Sequence, residues 1–257
     1  MNKLHRAPDH GAAIPSLNTV GRINSVESCG TVDGPGLRFV MFTQGCPLDC
    51  LYCHNPETRS RGCQDSVTAG EMLDQVLSYR NFLKRGGLTI SGGEPLLQPD
   101  FVHAILDGAK KAGIHTALDT SGFLGNRASD ELLESVDLVL LDIKSWNPET
   151  YKKTTGRSVA PTIDFARRLD VMDKPVWIRF VMVPGLTDSE ENMHGLAQFV
   201  STLNNVERLE ILPFHKMGEA KYKELGLDYK LTDTPSPSSK EIVAARALFQ
   251  GYGINAL

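Results

Sequence analysis

Long apolar runs are missing from this sequence. Its 257 residues contain no stretch of about 18 or more apolar residues, the length that reads as a membrane-crossing helix. Residues 1–19 carry His, Asp and two Pro, and they lack the basic start and apolar core of an export signal. We therefore expect a soluble, cytoplasmic protein with no membrane partner.

Concentrated positive charge is missing as well. The chain has 27 Lys and Arg against 31 Asp and Glu, a formal net charge of -4, and no run of basic residues stands out as a patch. Binding to a nucleic acid requires many cations on one surface, because the phosphate backbone is densely charged. We therefore do not expect a nucleic acid as a partner.

Cysteine is scarce and unevenly distributed. There are five cysteines, an odd number that cannot all pair within the chain, and three of them lie between Cys46 and Cys53. This distribution argues against a disulfide framework and favours a reducing compartment. Cys29 and Cys63 belong to no second close cluster, so we expect them to be ordinary thiols.

Strand and helix patterns alternate from Val20 to the end of the chain. Such alternation is typical of parallel strands joined by right-handed helical crossovers. Apolar runs bounded by turns predict buried strands at Leu37–Thr43, Leu88–Ser91, Thr116–Asp119, Leu138–Ile143, Val176–Val183 and Val206–Leu212. Amphipathic spacing and end signals predict helices at Ser66–Leu83, Pro99–Gly113, Ser129–Val136, Thr162–Met172, Asp188–Leu203 and Ser238–Gln250.

Six β/α units are too few to close an eight-stranded barrel of the usual geometry. We therefore predict an α/β fold with a single domain over residues 20–257, a partial (β/α)6 TIM-like barrel with a lateral opening. Residues 1–19 show neither helical nor strand periodicity and are predicted to form a flexible N-terminal tail. Active sites in such folds lie where the strands end, so the residues that follow each strand are the candidates.

The loop after the first of these strands carries Cys46, Cys50 and Cys53 in the spacing C-x3-C-x2-C. Three thiolates this close can bind one face of a [4Fe-4S] cluster and leave the fourth iron without a protein ligand, open to substrate. Two alternatives remain at this point. A structural zinc site would need a fourth ligand, for which only His54 is near, and an electron carrier would normally close its cluster with a fourth cysteine.

Glycines and charged residues follow other strands. Gly92 and Gly93 come after the second strand, where the lack of side chains lets a ligand approach the backbone, and Glu94 is next. Asp142 and Lys144 lie on one side of the fourth strand and can bind an amine and a carboxylate, or only each other. The remaining candidates at strand ends and around the last cysteine are Tyr52, His54, Asp119, Thr120 and His215.

The cysteine spacing, with an aromatic residue before Cys53 and with Gly92-Gly93-Glu94-Pro95 further on, resembles the radical S-adenosylmethionine superfamily. The resemblance runs from about Val20 to the end of the chain. It implies that the open iron chelates S-adenosylmethionine and that one electron from the reduced cluster cleaves it to methionine and a 5'-deoxyadenosyl radical, which removes hydrogen from a substrate. The cofactor-binding residues that it implies are Tyr52, Cys53, His54, Gly92, Gly93, Glu94, Asp142, Ile143, Lys144 and His215.

Further blocks resemble the pyruvate formate-lyase activating enzyme family, whose members form a glycyl radical on a partner protein. The blocks are Ser25–Phe39, Gln44–Cys46, Tyr52–Pro56, Leu118–Gly122, Asp142–Lys144, Val176–Phe180 and Leu212–His215. The resemblance implies that Asp33 and Arg179 receive the partner's glycine loop and that Asp119, Thr120 and Asp142 hold a monovalent cation. It also implies pyruvate formate-lyase as the partner and a flavodoxin or ferredoxin as the electron donor.

Other interpretations remain open from the residues. The turn Asp33-Gly-Pro-Gly36 suits a peptide passing close by, but many such turns only connect strands. Arg179 lies among apolar neighbours, where a charge needs either a structural ion pair or a cavity. Alternative functions are an activator of anaerobic ribonucleotide reductase, a deazaguanine-forming type of enzyme and a zinc-stabilised binding module. Cys63 is the only cysteine between the cysteine motif and Gly92. An inserted ferredoxin-like domain would need further cysteines there, so the sequence argues against one.

Overall fold

A computed structural model describes residues 14–60 and 66–257. Eight strands form one sheet in the order β3-β1-β2-β4-β5-β6-β7-β8. The strands are β1 (Val20–Gly30), β2 (Arg38–Thr43), β3 (Ser66–Thr68), β4 (Gly87–Gly92), β5 (His115–Thr120), β6 (Leu138–Asp142), β7 (Val176–Met182) and β8 (Val206–Pro213). All six predicted strands are present, and β2, β4, β5, β6, β7 and β8 are parallel to one another. The predicted α/β partial barrel is confirmed.

Two strands were not predicted. β1 pairs antiparallel with β2, and β3 pairs antiparallel with β1 over Val20–Arg22. Most side chains of β1 are exposed or half-buried, including the continuous exposed run from Ser25 to Cys29. Because an exposed strand does not need an apolar run, β1 lacks the signal by which buried strands are predicted from sequence.

The helices are α1 (Ala69–Ser78), α2 (Pro99–Lys111), α3 (Asp130–Glu134), α4 (Pro148–Thr155), α5 (Ala160–Val171), α6 (Glu190–Val200), α7 (Glu219–Glu224) and α8 (Ser239–Gly251). The six predicted helices are confirmed, four with shorter bounds and two (α5 and α8) with ends shifted by one or two residues, while the short α4 and α7 were missed. Within the predicted helical segment Ser66–Leu83, residues Ser66–Thr68 instead form β3, and Thr68 caps α1 through a reciprocal capping box with Glu71.

The two faces of the parallel strands have different chemistry. On β4, Leu88 and Ile90 belong to the large apolar core that packs the sheet against the helices. The alternate residues Thr89 and Ser91 point to the opposite face, where they make polar hydrogen bonds to residues from other strands. The sheet therefore encloses a polar interior, and this interior positions the candidate site.

Some predictions fall outside the described residues or gain no test. Residues 1–13 of the predicted tail and Cys63 lie outside them, so the boundary at residue 19 and the role of Cys63 stay predictions. Within the tail's described part, Leu17 and Thr19 accept backbone hydrogen bonds from the first two residues of α1. No helix in the described part of the chain has the length and apolar character of a membrane span.

Candidate active site

The three clustered cysteines lie on a loop that follows β2, which we call the cysteine loop (residues 44–55). Three backbone hydrogen bonds to two segments hold it: Gly45 N donates to Thr58 O (2.6 Å), Asp49 N to Thr155 O (2.9 Å) and Leu51 N to Thr154 O (2.9 Å). The loop shape thus depends on the main chain rather than on the thiols.

Cys46, Cys50 and Cys53 are half-buried and none is in a disulfide. Burial raises the pKa of all three thiols, to about 12 for Cys50, where Lys144 opposes the effect. Desolvated thiols of this kind are deprotonated when a metal binds them. Three half-buried thiols on one preformed loop are therefore a donor set that fits an iron-sulfur cluster.

A single metal ion is a different case. Within residues 14–60 and 66–257, no three His, Cys, Asp or Glu side chains converge on one point that could hold an ion. A cluster makes a weaker geometric demand than a single ion, because each thiolate binds a separate iron.

Two aromatic contacts border the cysteine loop. The rings of His54 and His215 are stacked with centroids 4.2 Å apart, and burial followed by the neighbouring His215 lowers the pKa of His54. Tyr52 is buried, with the Lys144 ammonium 5.9 Å from its ring centroid. The Tyr52 hydroxyl and His215 Nδ1 are buried and find no hydrogen-bond partner among the described residues, so both have unused capacity to bind a ligand.

Gly92 and Gly93 contact the start of the cysteine loop through their backbones. A Cβ added to Gly92 would overlap Thr43, and one added to Gly93 would overlap Gly45 O. Gly92 also has φ +116°, a conformation that favours glycine. The sequence predicted that these glycines admit a ligand, and the structure adds a second reason for them, since β2 and β4 approach too closely here for side chains.

Glu94 is completely buried, and its carboxylate is surrounded by donors of the protein itself. It accepts hydrogen bonds from Thr120 Oγ1 (2.6 Å), Ser121 N (3.0 Å), Ser121 Oγ (2.5 Å) and Leu96 N (3.2 Å). Burial raises the pKa of Glu94, while the bonds from Ser121 and Thr120 lower it in part. Glu94 thus joins the ends of β4 and β5, a contact that sequence spacing does not reveal.

A buried charge pair lies inside the barrel between β5 and β7. Asp119 accepts from Arg179 Nη1 (3.0 Å) and from Ser91 Oγ (2.7 Å). Burial lowers the pKa of Arg179, but the carboxylates of Asp119, Asp142 and Asp33 outweigh it and raise the pKa above its ordinary value. The pair is consistent with a structural ion bridge, yet Arg179 Nε is buried and has no partner among the described residues.

Asp142 and Lys144 form a second pair, 2.9 Å apart. Burial lowers the pKa of Lys144, but Asp142 and then Tyr52 outweigh it and raise that pKa well above its usual value. The side chain of Ile143 is fully buried in the outer apolar core, so only its backbone can reach a cofactor. Each of Asp119 and Asp142 already faces a cationic side chain, and Thr120 donates to Glu94.

Asp33 lies on the loop between β1 and β2, which we call the Asp33 loop (residues 31–37). Burial raises the pKa of Asp33, and Asp119 raises it further while Arg179 lowers it. The charges of Asp119 and Arg179 therefore act on the Asp33 carboxyl group. Sequence reasoning gave no role to Arg38 and Thr89, two buried residues that hold this loop. The signal for Arg38 was a cationic residue two positions after Gly36, at the start of an apolar strand.

An open parallel barrel with a three-cysteine loop at a strand end defines a class of iron-sulfur enzymes, and comparison with known proteins agrees. The Radical SAM superfamily model matches residues 40–197. The chain is 42% identical over 241 residues to the pyruvate formate-lyase 1-activating enzyme of Escherichia coli, covering 92% of this chain and 98% of that protein. It is 44% identical over 234 residues to the activating enzyme of Staphylococcus aureus, covering 88% and 93%.

Solved structures show the same fold. A domain of a pyruvate-formate lyase-activating enzyme from Bacteroides vulgatus superposes with a TM-score of 0.57 at 27% identity, covering 67% of this chain and 98% of that one. SuiB from Streptococcus suis superposes with a TM-score of 0.63 at 17% identity, covering 88% and 47%, which supports the fold alone. The chain belongs to the radical SAM superfamily and, within it, to the pyruvate formate-lyase activating enzyme family. It is thus an oxidoreductase whose cofactors are a [4Fe-4S] cluster and S-adenosylmethionine.

Proposed function

We propose that this chain activates pyruvate formate-lyase by removing a hydrogen atom from one of its backbone glycines. The observation that carries the proposal is the identity of 42% and 44% to named activating enzymes over nearly the whole chain. When bound, the reduced cluster supplies the electron that cleaves S-adenosylmethionine. We further propose a flavodoxin or a ferredoxin-type protein as the donor of that electron, and the cytoplasm as the location.

The residues near the cysteine loop bind the two cofactors in this proposal. Cys46, Cys50 and Cys53 hold the cluster. The backbone of Gly92 and Gly93 and the carboxylate of Glu94 form the wall beside it, where Glu94 fixes the ends of two strands. The further cofactor-binding residues of the proposal are Tyr52, His54, Asp142, Ile143, Lys144 and His215.

Two unused donors or acceptors support these assignments. Tyr52 has a buried hydroxyl and His215 a buried ring nitrogen that the described residues leave without a partner. A buried polar group without a partner costs about 1–3 kcal/mol, so a bound ligand that supplies one stabilises the site. Asp142 and Lys144 present both charges required by an amino acid group, a carboxylate for its amine and an ammonium for its carboxylate.

Asp33 and Arg179 receive the partner's glycine loop. Arg179 is held by Asp119 through one nitrogen, and its buried Nε remains available to a backbone carbonyl. Donation of this kind orients a peptide, and orientation is what selects one hydrogen atom for removal. The proposal also retains a monovalent cation beside Asp119, Thr120 and Asp142, although both carboxylates have cationic neighbours in the structure.

The test is formation of the glycyl radical. The chain is reconstituted anaerobically with iron and sulfide, photoreduced with S-adenosylmethionine and mixed with purified pyruvate formate-lyase from the same organism. We expect a glycyl radical signal in electron paramagnetic resonance together with 5'-deoxyadenosine and methionine. Cleavage of S-adenosylmethionine without a radical on this partner, but with one on anaerobic ribonucleotide reductase, would assign the chain to the other activator class.

The Asp33→Ala variant tests the peptide-binding role separately. We expect it to bind the cluster and cleave S-adenosylmethionine while the radical yield on the partner falls about tenfold or more, the effect of losing about 1.4 kcal/mol of binding. Asp164→Ala is the control, because Asp164 is an exposed carboxylate on the outer helix α5. A radical yield in the Asp33 variant equal to that of the control would remove Asp33 from the site.

A further inference from the structure

One buried hydroxyl connects the Asp33 loop to the inside of the barrel. Thr89 Oγ1 on β4 donates to the backbone carbonyl of Asp33 at 2.6 Å and accepts from Arg38 Nε at 2.9 Å. The direction of both bonds is fixed by chemistry, because a carbonyl can only accept and a guanidinium N–H can only donate. The hydroxyl of Thr89 is therefore committed to one orientation.

Arg38 is held in place by backbone acceptors. It is completely buried, and it donates to Pro35 O (3.4 Å), His115 O (3.4 Å) and Leu88 O. Its Nη1 lies 3.2 Å from His115 Nδ1, and burial followed by the charge of Arg38 lowers the pKa of His115, which keeps that nitrogen an acceptor. A planar guanidinium with five N–H donors can bond to so many groups at once, whereas a Lys ammonium cannot.

The same Arg38 side chain supports the loop itself. A Cβ added to Gly34 would lie 3.3 Å from Arg38 Nε, so the loop backbone rests on the guanidinium. Asp33 is thus fixed through its own carbonyl by Thr89 and through the next residues by Arg38. The charges of Asp119 and Arg179 act on its carboxyl group, the first raising and the second lowering its pKa.

We infer that Thr89 and Arg38 are positioning residues for the activation of the partner, acting through the backbone of the Asp33 loop without touching substrate or cofactor. The inference rests on the proposed function, because it concerns the loop that receives the partner's glycine. If it holds, breaking the hydrogen bond between Thr89 and Asp33 raises the KM for the partner protein and leaves S-adenosylmethionine cleavage without the partner unchanged.

The matched control lies on the neighbouring strand. Thr116 on β5 is also completely buried. Its hydroxyl donates to Ser135 O (2.8 Å), accepts from Asp137 N (3.1 Å) and lies 3.1 Å from Asp137 Oδ2. Like Thr89 it bonds to a carbonyl and to an N–H, but none of these partners belongs to the Asp33 loop. Replacing either residue by Val removes one donation and one acceptance with little change of shape. The two variants should lose similar stability.

The experiment measures the KM for purified pyruvate formate-lyase in glycyl radical formation, and S-adenosylmethionine cleavage without the partner. We expect Thr89→Val to raise the KM about tenfold, which corresponds to one lost hydrogen bond of about 1.4 kcal/mol. Thr89→Ser keeps the hydroxyl and should stay within about twofold of the wild type. Thr116→Val should also leave the KM within about twofold, with a melting temperature lowered as much as in Thr89→Val.

Distinct outcomes separate the two hypotheses. Equal KM values for Thr89→Val and Thr116→Val, or a Ser variant as impaired as the Val variant, would overturn the positioning role. If Thr89→Val does not fold, Thr89→Ala removes the same two bonds without placing a methyl group against Arg38, and the same KM comparison decides. A wild-type chain that cleaves S-adenosylmethionine but forms no radical on the partner would instead overturn the proposed function.

Discussion

The two loops at opposite ends of β2 are stabilised in different ways. The cysteine loop after β2 is held by main-chain hydrogen bonds to Thr58, Thr154 and Thr155. The Asp33 loop before β2 has one main-chain bond to the sheet, from Gly87 N to Leu37 O, and is otherwise attached through the side chains of Thr89 and Arg38. A loop held by its backbone tolerates changes of side chain, whereas a loop held by two side chains depends on them. The cysteine loop is therefore expected to depend less on any one side chain than the Asp33 loop does.

The largest expected effect is loss of the cluster on substitution of one ligand. Cys50→Ala should abolish bound iron and the visible absorption of the reconstituted protein, because three thiolates are the only protein ligands proposed. The melting temperature of the cluster-free protein should change little, since the neighbouring bonds of Asp49 and Leu51 use the backbone. Cys29→Ala, at an exposed cysteine outside the loop, is the control and should retain the cluster. Retention of iron by the Cys50 variant would contradict the ligand assignment.

The next effect is on stability at the other end of β2. Arg38→Met should lower the free energy of unfolding by about 3 kcal/mol, because it leaves several buried acceptors without a donor. Urea denaturation of the folded chain measures it. Arg157 offers a comparison, since this exposed residue donates to Pro47 O of the cysteine loop at 2.8 Å. Arg157→Met should cost less than about 0.5 kcal/mol, and equal losses for both variants would remove the contrast between the two loops.

Glu94 lies beside the cysteine loop: its backbone N–H donates to Gly45 O at 2.8 Å, and its carboxylate joins the ends of β4 and β5. Glu94→Gln should cost about 1–2 kcal/mol, because an amide nitrogen cannot accept from the donors that face it. Burial raises the pKa of Glu94 in the folded state, so its contribution to stability is largest at low pH and declines as pH rises from the usual pKa through the folded one. The difference in free energy of unfolding between the wild type and the Gln variant should therefore narrow as the pH rises above the ordinary glutamate pKa of 4.5. A gap that widens with pH would contradict this sign.

The smallest effect is expected at Thr154. Its carbonyl accepts from Leu51 N, but its buried hydroxyl has no partner among the described residues. Thr154→Val should therefore change the free energy of unfolding by less than about 0.5 kcal/mol and leave the cluster bound. The free energies of unfolding of Thr154→Val and Thr89→Val then compare a hydroxyl without a partner among the described residues with one that bonds to the Asp33 loop. A large loss in the Thr154 variant would mean that its hydroxyl also supports the loop.

The sequence predicted the parallel strands because each is buried on its outer face and therefore carries an apolar run. It failed on β1, whose side chains are mostly exposed, and on the two short helices α4 and α7. Placing the candidates at strand ends was also within its reach, because the carboxyl ends of parallel strands meet at one edge. The identity of the radical SAM superfamily followed from the spacing of Cys46, Cys50 and Cys53.

Pairings across the barrel were beyond sequence reasoning. Ser121 and Glu94 meet because β4 and β5 are neighbours in the sheet. Arg38 on β2 reaches His115 on β5 across the intervening strand β4. Periodicity tells which side of a strand a residue occupies, but it does not give the register between strands or the direction of a long side chain. For this reason the sequence identified Thr89 only as a polar residue within a strand and did not predict its bond to Asp33.

The Asp33 loop is also coupled mechanically to the turn that precedes β4. A Cβ on Gly36 would overlap Arg85 O, a Cβ on Gly86 would overlap Leu37 O, and Gly87 N donates to Leu37 O at 3.0 Å. The two backbones leave no space to slide independently, so a displacement of the loop by an arriving peptide carries the turn with it. Phe82, 70% exposed beside that turn, is thus a place where a fluorescent or spin label would report the arrival of the partner from outside the barrel.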